Sequence, residues 1–385
     1  MRYISLIILA MWVLPLQAQK SFRDKLIRDT RQAVIARAQR VISELPVTIT
    51  AYSSARSAGD KHDFYSEGDY WWPDPADPKA PYIQRDGQSN PDNFTAHREA
   101  MIRLSRIMGA LAAGYVAGGD KTYLQRALVH ARAWFVDTAT SMRPALLYAQ
   151  AIKGRVTGRG IGIIDTIHLL EVVEALRIME KAGIIPRDDL AAMKAWFTAY
   201  LQWMTTHPYG KDEMNATNNH GTCWVMQVAS FARFTGNKTW TDFCIQRYET
   251  VLLPAQMAAD GSFPQELKRT KPYGYSLFNL DAMSTICQLL STPAHNLWQY
   301  TTNQQQNIAL GMAFMYPYVQ QKNSWPYGAD VMYWNQWPVA QPFLVFGAAA
   351  LDKEDYYRLW LSLEHDPQEP EVLRNLPVRN PLIWF

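Results

Sequence analysis

From Asn93 onward the chain reads as helix after helix, and two of the joints between helices are near copies of each other. Gly119-Asp120-Lys121-Thr122-Tyr123 and Gly236-Asn237-Lys238-Thr239-Trp240 each close one amphipathic run and open the next. An echo of this kind marks a recurring helical hairpin. Helices are expected over 94–116, 121–136, 163–181, 187–204, 223–234, 273–290, 304–316 and 342–363. Another precedes them at 22–45, where Leu26, Ile27, Val34, Ile35, Ala38, Val41 and Ile42 recur at helical spacing. Stacked hairpins form an open solenoid or a ring, and a solenoid needs terminal repeats with a polar outer face. None is visible, so the expected fold is all-α, a closed or incomplete α/α toroid. The joints 46–93, 137–162, 205–221, 258–276 and 320–341 are long and rich in aromatic residues, Pro and Gly. A ring gathers such joints at one end, around a central cleft.

A chain of 385 residues with 48% hydrophobic content can bury one large core or two modest ones. Residues 19–385 are read as one catalytic domain. The formal charge is only +3, with both signs interspersed, so nothing resembles an electrostatic footprint for nucleic acid. An anionic substrate must then be met by local basic residues. Residues 1–18 read as a cleavable signal: Arg2, an apolar run over 3–16, and Ala18 as the small residue before the cut. That run is short for a bilayer span. Export to the periplasm or beyond is expected, with no stable membrane insertion, as a monomer. Cys223, Cys244 and Cys287 sit in apolar helical contexts without metal-ligand spacing, which suits buried free thiols and leaves one disulfide open. His97, His130 and His168 fall within helices and are read as structural. Neither a metal nor a cofactor is expected. Gly158-Arg159-Gly160-Ile161-Gly162 is no dinucleotide fingerprint, since no strand is foreseen before it and the spacing differs.

Aromatic residues are the unusual part of the composition: 14 Trp and 20 Tyr, several in joints where no helical face requires them. Sugars stack their C–H faces on such rings. The run Tyr65-Ser66-Glu67-Gly68-Asp69-Tyr70-Trp71-Trp72-Pro73-Asp74-Pro75, followed by Pro78, Pro81 and Pro91, excludes a long helix. It reads as the wall or lid of a saccharide cleft, with Tyr65, Tyr70, Trp71 and Trp72 as candidate platforms, or as a surface arm packed on the first helix. Trp325, Tyr327, Trp334 and Trp337 mark another aromatic joint, read as part of the cleft, with Tyr327 as a further candidate for substrate contact.

The chemistry is concentrated between Asn218 and Tyr275. This stretch opens with Asn218-Asn219-His220-Gly221 and closes with Glu266-Leu267-Lys268-Arg269-Thr270, then Tyr273 and Tyr275. In a 4-linked uronic acid polymer the C5 hydrogen lies α to a carboxylate whose charge resists loss of a proton. Asn219, His220 and a bidentate Arg269 offer donors that neutralise it and stabilise the enolate-like oxyanion. A Tyr beside a guanidinium has its phenolate favoured. Tyr275 would then take the C5 proton and return one to the bridging O4. Tyr273 is an alternative base, and His220 is a base for the opposite sugar face. Asn218, Lys268 and Arg159 are further candidates for contact with an anionic saccharide. Singly, the Asn residues read as helix caps and Arg269 and Tyr275 as loop residues; the ordered set points to β-elimination.

That set resembles the alginate lyase superfamily of polysaccharide lyases, in which an Asn-Asn-His segment precedes a Glu-Leu-x-Arg-Thr segment and a Tyr shortly after the Arg. The matching residues are Asn218-Asn219-His220, Glu266-Leu267-Lys268-Arg269-Thr270 and Tyr275-Ser276-Leu277-Phe278-Asn279-Leu280. The resemblance implies an incomplete α/α toroid, carboxylate neutralisation by Asn219, His220 and Arg269, and Tyr275 as the catalytic Tyr. Mannuronate-rich alginate is the implied substrate, with glucuronan as runner-up. The Tyr-Trp-Trp-Pro-Asp-Pro segment is similar to polysaccharide lyase family 38, with families 5 and 17 as wider relatives. Two other classes remain. An α/α-toroid glycoside hydrolase needs two carboxylates flanking the bond, for which Asp69, Asp74 and Glu266 are available. A non-catalytic glycan-binding protein would keep the aromatic joints without needing Asn219, His220, Arg269 and Tyr275 together.

Overall fold

The computed structural model describes residues 2–385, with side chains from Lys20 onward. The signal reading of residues 1–18 therefore lies outside the described side chains. In chain order come α1 (Arg2–Val41), β1 (Tyr65–Glu67), β2 (Trp71–Trp72), β3 (Ile83–Gln84), α2 (Ala96–Gly118), α3 (Lys121–Phe135) and β4 (Tyr148–Ala151). Next are α4 (Leu169–Lys181), α5 (Arg187–Thr206), α6 (Pro208–Met214), α7 (Asn219–Thr235), α8 (Lys238–Arg247), α9 (Leu253–Gln256) and α10 (Pro264–Leu267). The rest are α11 (Pro272–Leu290), α12 (Ile308–Gln320), α13 (Pro342–Leu351), α14 (Glu354–Ser362) and α15 (Pro370–Arg374).

In chain order the helices run as the pairs α2/α3, α4/α5, α7/α8, α11/α12 and α13/α14, with α5 packed on α7 rather than on α4. One helix of each pair packs on the corresponding helix of the next, in the order α2, α4, α7, α11, α13, and α1 bridges α13 back to α2. A terminal 3₁₀ turn, Pro381–Trp384, fills in against α1, α2 and α4. The result is the all-α toroid expected from the hairpin repeat. The echoed joints owe their likeness to the same local need. Gly119 and Gly236 sit at φ 80° and 72°, the left-handed conformation that ends a helix at little steric cost, and the next residue caps the following helix. Asp120 accepts from Thr122 N at 2.8 Å and Asn237 from Trp240 N at 3.2 Å, each cap worth about 1 kcal/mol.

The inner helices are apolar nearly all round, since they are buried by neighbours on several sides. Helix α2 is apolar and long enough to cross a membrane, yet 72% of its most apolar window is buried here as core. Cys223, Cys244 and Cys287 are buried free thiols.

Several expectations are corrected. The run 342–363 is two helices, because Asp352 takes φ 53° and the Lys353 N–H turns back to Ala348 O. The run at 304–316 begins later, at Ile308, where the Asn307 side chain caps Leu310 N at 2.9 Å. The first turns expected at Ile163 are a 3₁₀ segment, Gly160–Thr166. A short strand, β4, does precede Gly158, against expectation. It pairs in parallel with β1, while β2 and β3 form an antiparallel hairpin. These pairings stitch the 46–93 and 137–162 joints into one wall.

Candidate active site

Four of the five joints meet at one end of the ring. Tyr70, Trp71 and Gln84 come from the β2–β3 arm, Gln150 and Arg159 from the β4 segment, and Asn219 and His220 from the start of α7. Arg269 and Tyr275 come from the entry to α11, and Arg374 and Asn375 complete the cleft from the C-terminal segment. The 320–341 joint does not reach it. It buttresses α11 from behind, where Asp330 accepts from Tyr273 N and Gly274 N at 2.9 Å.

The turn into α7 presents the Asn-His pair. Asn218 is the cap, its side chain accepting from His220 N at 3.4 Å. Buried Glu266 accepts from both the backbone N and Nδ2 of Asn219, each at 2.7 Å. One amide hydrogen of Asn219 is thereby committed and the other is left for a ligand. Burial pushes the Glu266 carboxyl up, against the pull of the two Asn219 donors. His220 Nδ1 lies 2.7 Å from Oε1 of Glu213, whose side chain is wholly buried at the end of α6. A carboxylate on Nδ1 fixes that nitrogen as the donor and leaves Nε2 as the basic one.

At the entry to α11, the Tyr275 hydroxyl donates to the Tyr70 hydroxyl at 2.8 Å. The Arg269 guanidinium covers the Tyr275 ring at 4.5 Å, with Nη2 3.5 Å from the phenol oxygen. This guanidinium does favour the phenolate, but burial outweighs it. Burial dominates and holds the Tyr275 pKa well above its ordinary value, with Arg269 pulling the other way. Asp86 explains part of the weakness. Its carboxylate takes Arg269 Nη2 at 2.6 Å and Nε at 3.1 Å, so this guanidinium edge is spent within the protein. Arg269 therefore has its outer edge alone to offer a substrate, not the bidentate Nε/Nη2 face.

Behind Tyr70 lies a buried ionic layer. Asp69 binds Arg98 at 2.6 Å and Arg374 at 3.4 Å, and Glu371 binds Arg374 at 2.9 Å and also Lys271. Burial alone would raise the Asp69 carboxyl, but Arg374 and Arg98 bring it down to about 2. Arg159 differs from these cations. It donates to the Gln150 carbonyl at 2.9 Å and to Gln150 Oε1 at 3.0 Å, both uncharged acceptors. Gln150 adopts φ 51°, and its N–H and Nε2 are pinned by Ser66 and Asp165.

Other sequence candidates fall elsewhere. Tyr273 is fully buried, donates to Tyr318 O at 3.1 Å and packs edge-on against Trp325 and Trp334, so it is unavailable as a base. Tyr65 is buried, bonded to Glu67, and borders a neighbouring groove rather than the cleft. Trp72 alternates with Trp71 and therefore faces the other side of the β2–β3 hairpin, where Arg85 covers it. Lys268 is exposed outside the cleft, and Tyr327 packs beside Trp325 and Phe314. Glu213, Asp86, Gln150, Arg374 and Asn375 were not foreseen. Glu266 and Asp69 did lie inside stretches that drew attention, there as possible hydrolytic acids. The hydrolase reading finds no support in the carboxylates: Asp69 and Glu266 are committed as described, and Asp74 caps the turn at Ala76 N. Among the described residues no group of His, Cys, Asp and Glu is arranged to hold a metal ion.

A helical toroid with an Asn-His turn, an Arg and a Tyr at its mouth defines a polysaccharide lyase scaffold, and comparison with known proteins agrees. The alginate lyase family model matches residues 48–325, and the chain belongs to that family. A crystal structure of an alginate lyase from Bacteroides ovatus matches with TM-score 0.81 and 30% identity, over 96% of this chain and 97% of that one. Alginate lyase A1-III from Sphingomonas species A1 matches with TM-score 0.56 and 16% identity, over 91% of this chain and 94% of that one. A histidine-to-alanine variant of alginate lyase A1-III complexed with tetrasaccharide matches with TM-score 0.58 and 15% identity, over 92% and 94%. No curated protein matches significantly.

Proposed function

We propose that this enzyme cleaves 4-linked uronate chains, alginate first, by β-elimination, leaving a C4=C5 unsaturated uronate at the new non-reducing end. The observation that supports this most is the convergence of Asn219, His220, Arg269 and Tyr275 on one cleft. In this reading the substrate carboxylate lies against the free amide hydrogen of Asn219, His220 and the outer edge of Arg269. The charge that develops on it as C5–H breaks meets fixed donors in a half-buried site. Tyr275, as phenolate, takes the C5 proton. The C5 electron pair forms the C4=C5 bond, and the C4–O4 bond breaks with the proton passing from Tyr275 to O4. Mannuronate and glucuronate share their C5 configuration, so one Tyr serves both on the same face. Mannuronate-rich alginate is the preferred substrate in this reading, and glucuronan the close second.

The buried carboxylate of Glu213 behind His220 supports a second route for guluronate, whose C5–H lies on the opposite face. There His220 Nε2 would be the base and the protonated Tyr275 the acid at O4. Export through the N-terminal signal, action as a monomer, membership of family 38 and a single domain over 19–385 belong to the same proposal. The test is ultraviolet absorbance of the conjugated product on polymannuronate, polyguluronate and glucuronan. A rise on polymannuronate that vanishes in Tyr275→Phe is expected. No rise on any of the three polymers would sink the reading.

A further inference from the structure

Beside the cleft runs a second, more open groove of about 630 Å³, lined in part by Tyr65, Lys153, Arg155 and Tyr209. The two are joined at Trp71. Its ring carries Arg159, a cleft residue, at 5.7 Å and Arg155, a groove residue, at 5.3 Å. Further out, Lys153 lies 5.4 Å from the Tyr82 ring. The three cations thus form a file from the cleft outward, each resting on an aromatic ring. Among the described residues none of the three reaches a carboxylate, whereas Arg56 in the same groove is paired with Glu67 at 2.7 Å. The support is rigid. The 152–156 tip closes on itself through the Ile152–Val156 bridge and is tied to the arm by Tyr82 N to Lys153 O at 3.1 Å and by Arg155 Nε to Tyr82 O at 2.7 Å.

We propose that Arg155 and Lys153, with Trp71 and Tyr82, form an extended binding track for the uronates next along the polymer from the reacting pair. The protein recognises a long polyanion there rather than a short oligosaccharide. This rests on the uronate reading of the cleft. A cation held over a ring keeps its charge and is partly desolvated, so it meets a carboxylate at less cost than a fully hydrated one. Repeated carboxylates along a uronan match a file of unpaired cations, and the pyranose faces between them match the rings. Trp71 lies under both Arg159 of the cleft and Arg155 of the groove, which makes the track continuous with the site of cleavage.

The experiment compares wild type with a Lys153→Ser/Arg155→Ser double variant on long polymannuronate and on a mannuronate disaccharide, the reacting pair alone, at low and moderate salt. For the polymer, KM should rise about tenfold with kcat retained, and most of the salt dependence of KM should disappear. The disaccharide kinetics should stay within about twofold of wild type. The charge-keeping Lys153→Arg/Arg155→Lys pair should restore the polymer KM, which separates the effect from misfolding. An equal loss on both substrates, or no change on the polymer, would overturn the track. Retardation of Tyr275→Phe protein in a native gel containing polymannuronate gives a readout without turnover. If wild type cleaves no uronan but this retardation is lost with the double variant, the track stands and the elimination reading fails. Unchanged retardation overturns the track.

Discussion

The hydroxyls of Tyr275 and Tyr70 share a 2.8 Å hydrogen bond that ties the first turn of α11 to the β2–β3 arm. This contact joins the proposed reacting group to the wall that closes over it, and the two phenols divide the work. Tyr275→Phe removes the proposed base and acid for mannuronate and should lower kcat on polymannuronate by about 10²–10⁴-fold. Tyr70→Phe leaves that carrier in place and loosens the arm, so kcat should fall by about tenfold or less. Steady-state rates of the two variants check the ranking.

Burial holds the Tyr275 pKa well above its ordinary value, so at neutral pH the free enzyme carries a protonated phenol. If the phenolate is the base, the active fraction grows tenfold for each pH unit below that pKa. kcat/KM on polymannuronate should therefore rise with unit slope on a logarithmic scale from neutral into alkaline pH, up to the point where the fold gives way. On polyguluronate, where the proposed role of Tyr275 is that of the protonated acid, the same alkaline rise should be missing. Parallel pH profiles on the two polymers decide between these roles.

The ring, the echoed joints and the four central site residues were legible in the sequence because each has a local signature. The left-handed Gly119 and Gly236 with their capping neighbours are visible in five residues, and Asn219, His220, Arg269 and Tyr275 stand in fixed order. Their partners were not legible. Asp86 meets Arg269 across 183 positions, and Asp69 meets Arg374 only because the C-terminal segment folds back to the arm. An ion pair between distant loops leaves no periodic trace. Tyr273 illustrates the reverse error. It is nearer Arg269 in sequence than Tyr275 is, but in the turn that opens α11 it points into the Trp325–Trp334 cluster.

Glu213 and His220 form a unit at 2.7 Å, and a unit of this kind shows itself in a double-mutant cycle. Glu213→Gln keeps the shape but removes the carboxylate that holds Nδ1 and orients the ring. It should lower kcat by about 10–100-fold on polyguluronate. Added to His220→Ala, it should cost little more, because the residue through which it acts is already gone. Fully multiplicative losses would mean that Glu213 acts on something other than His220.

Asp86 draws its loop to Arg269 and also accepts from Thr270 Oγ1 at 3.0 Å. Asp86→Ala should free the guanidinium and release this edge of the arm together. Substrate affinity and closure then move in opposite directions: KM should fall or hold while kcat drops by about tenfold, since the arm no longer returns Tyr70 to Tyr275. A rise in KM with kcat intact would instead assign Asp86 to ground-state binding.

Asp69 carries the acid sensitivity of the arm. Its carboxyl sits at about 2 against an ordinary 3.8, lowered by Arg374 and Arg98 in spite of burial. The folded state thus binds this proton more weakly than the unfolded chain. The stability from Asp69 is complete above pH 3.8 and is lost as pH falls toward 2. Replacing it by Asn leaves Arg98 and Arg374 buried without their shared anion, a change worth about 3–5 kcal/mol when one partner of a buried ion pair is removed. Glu371 remains beside Arg374 at 2.9 Å, which places the expected loss at the lower end of that range. Denaturant titration should show Asp69→Asn destabilised by about 3 kcal/mol at pH 7, with wild type and variant converging as the pH approaches 2. A constant gap across that interval would show that the lost stability comes from packing and not from the charge.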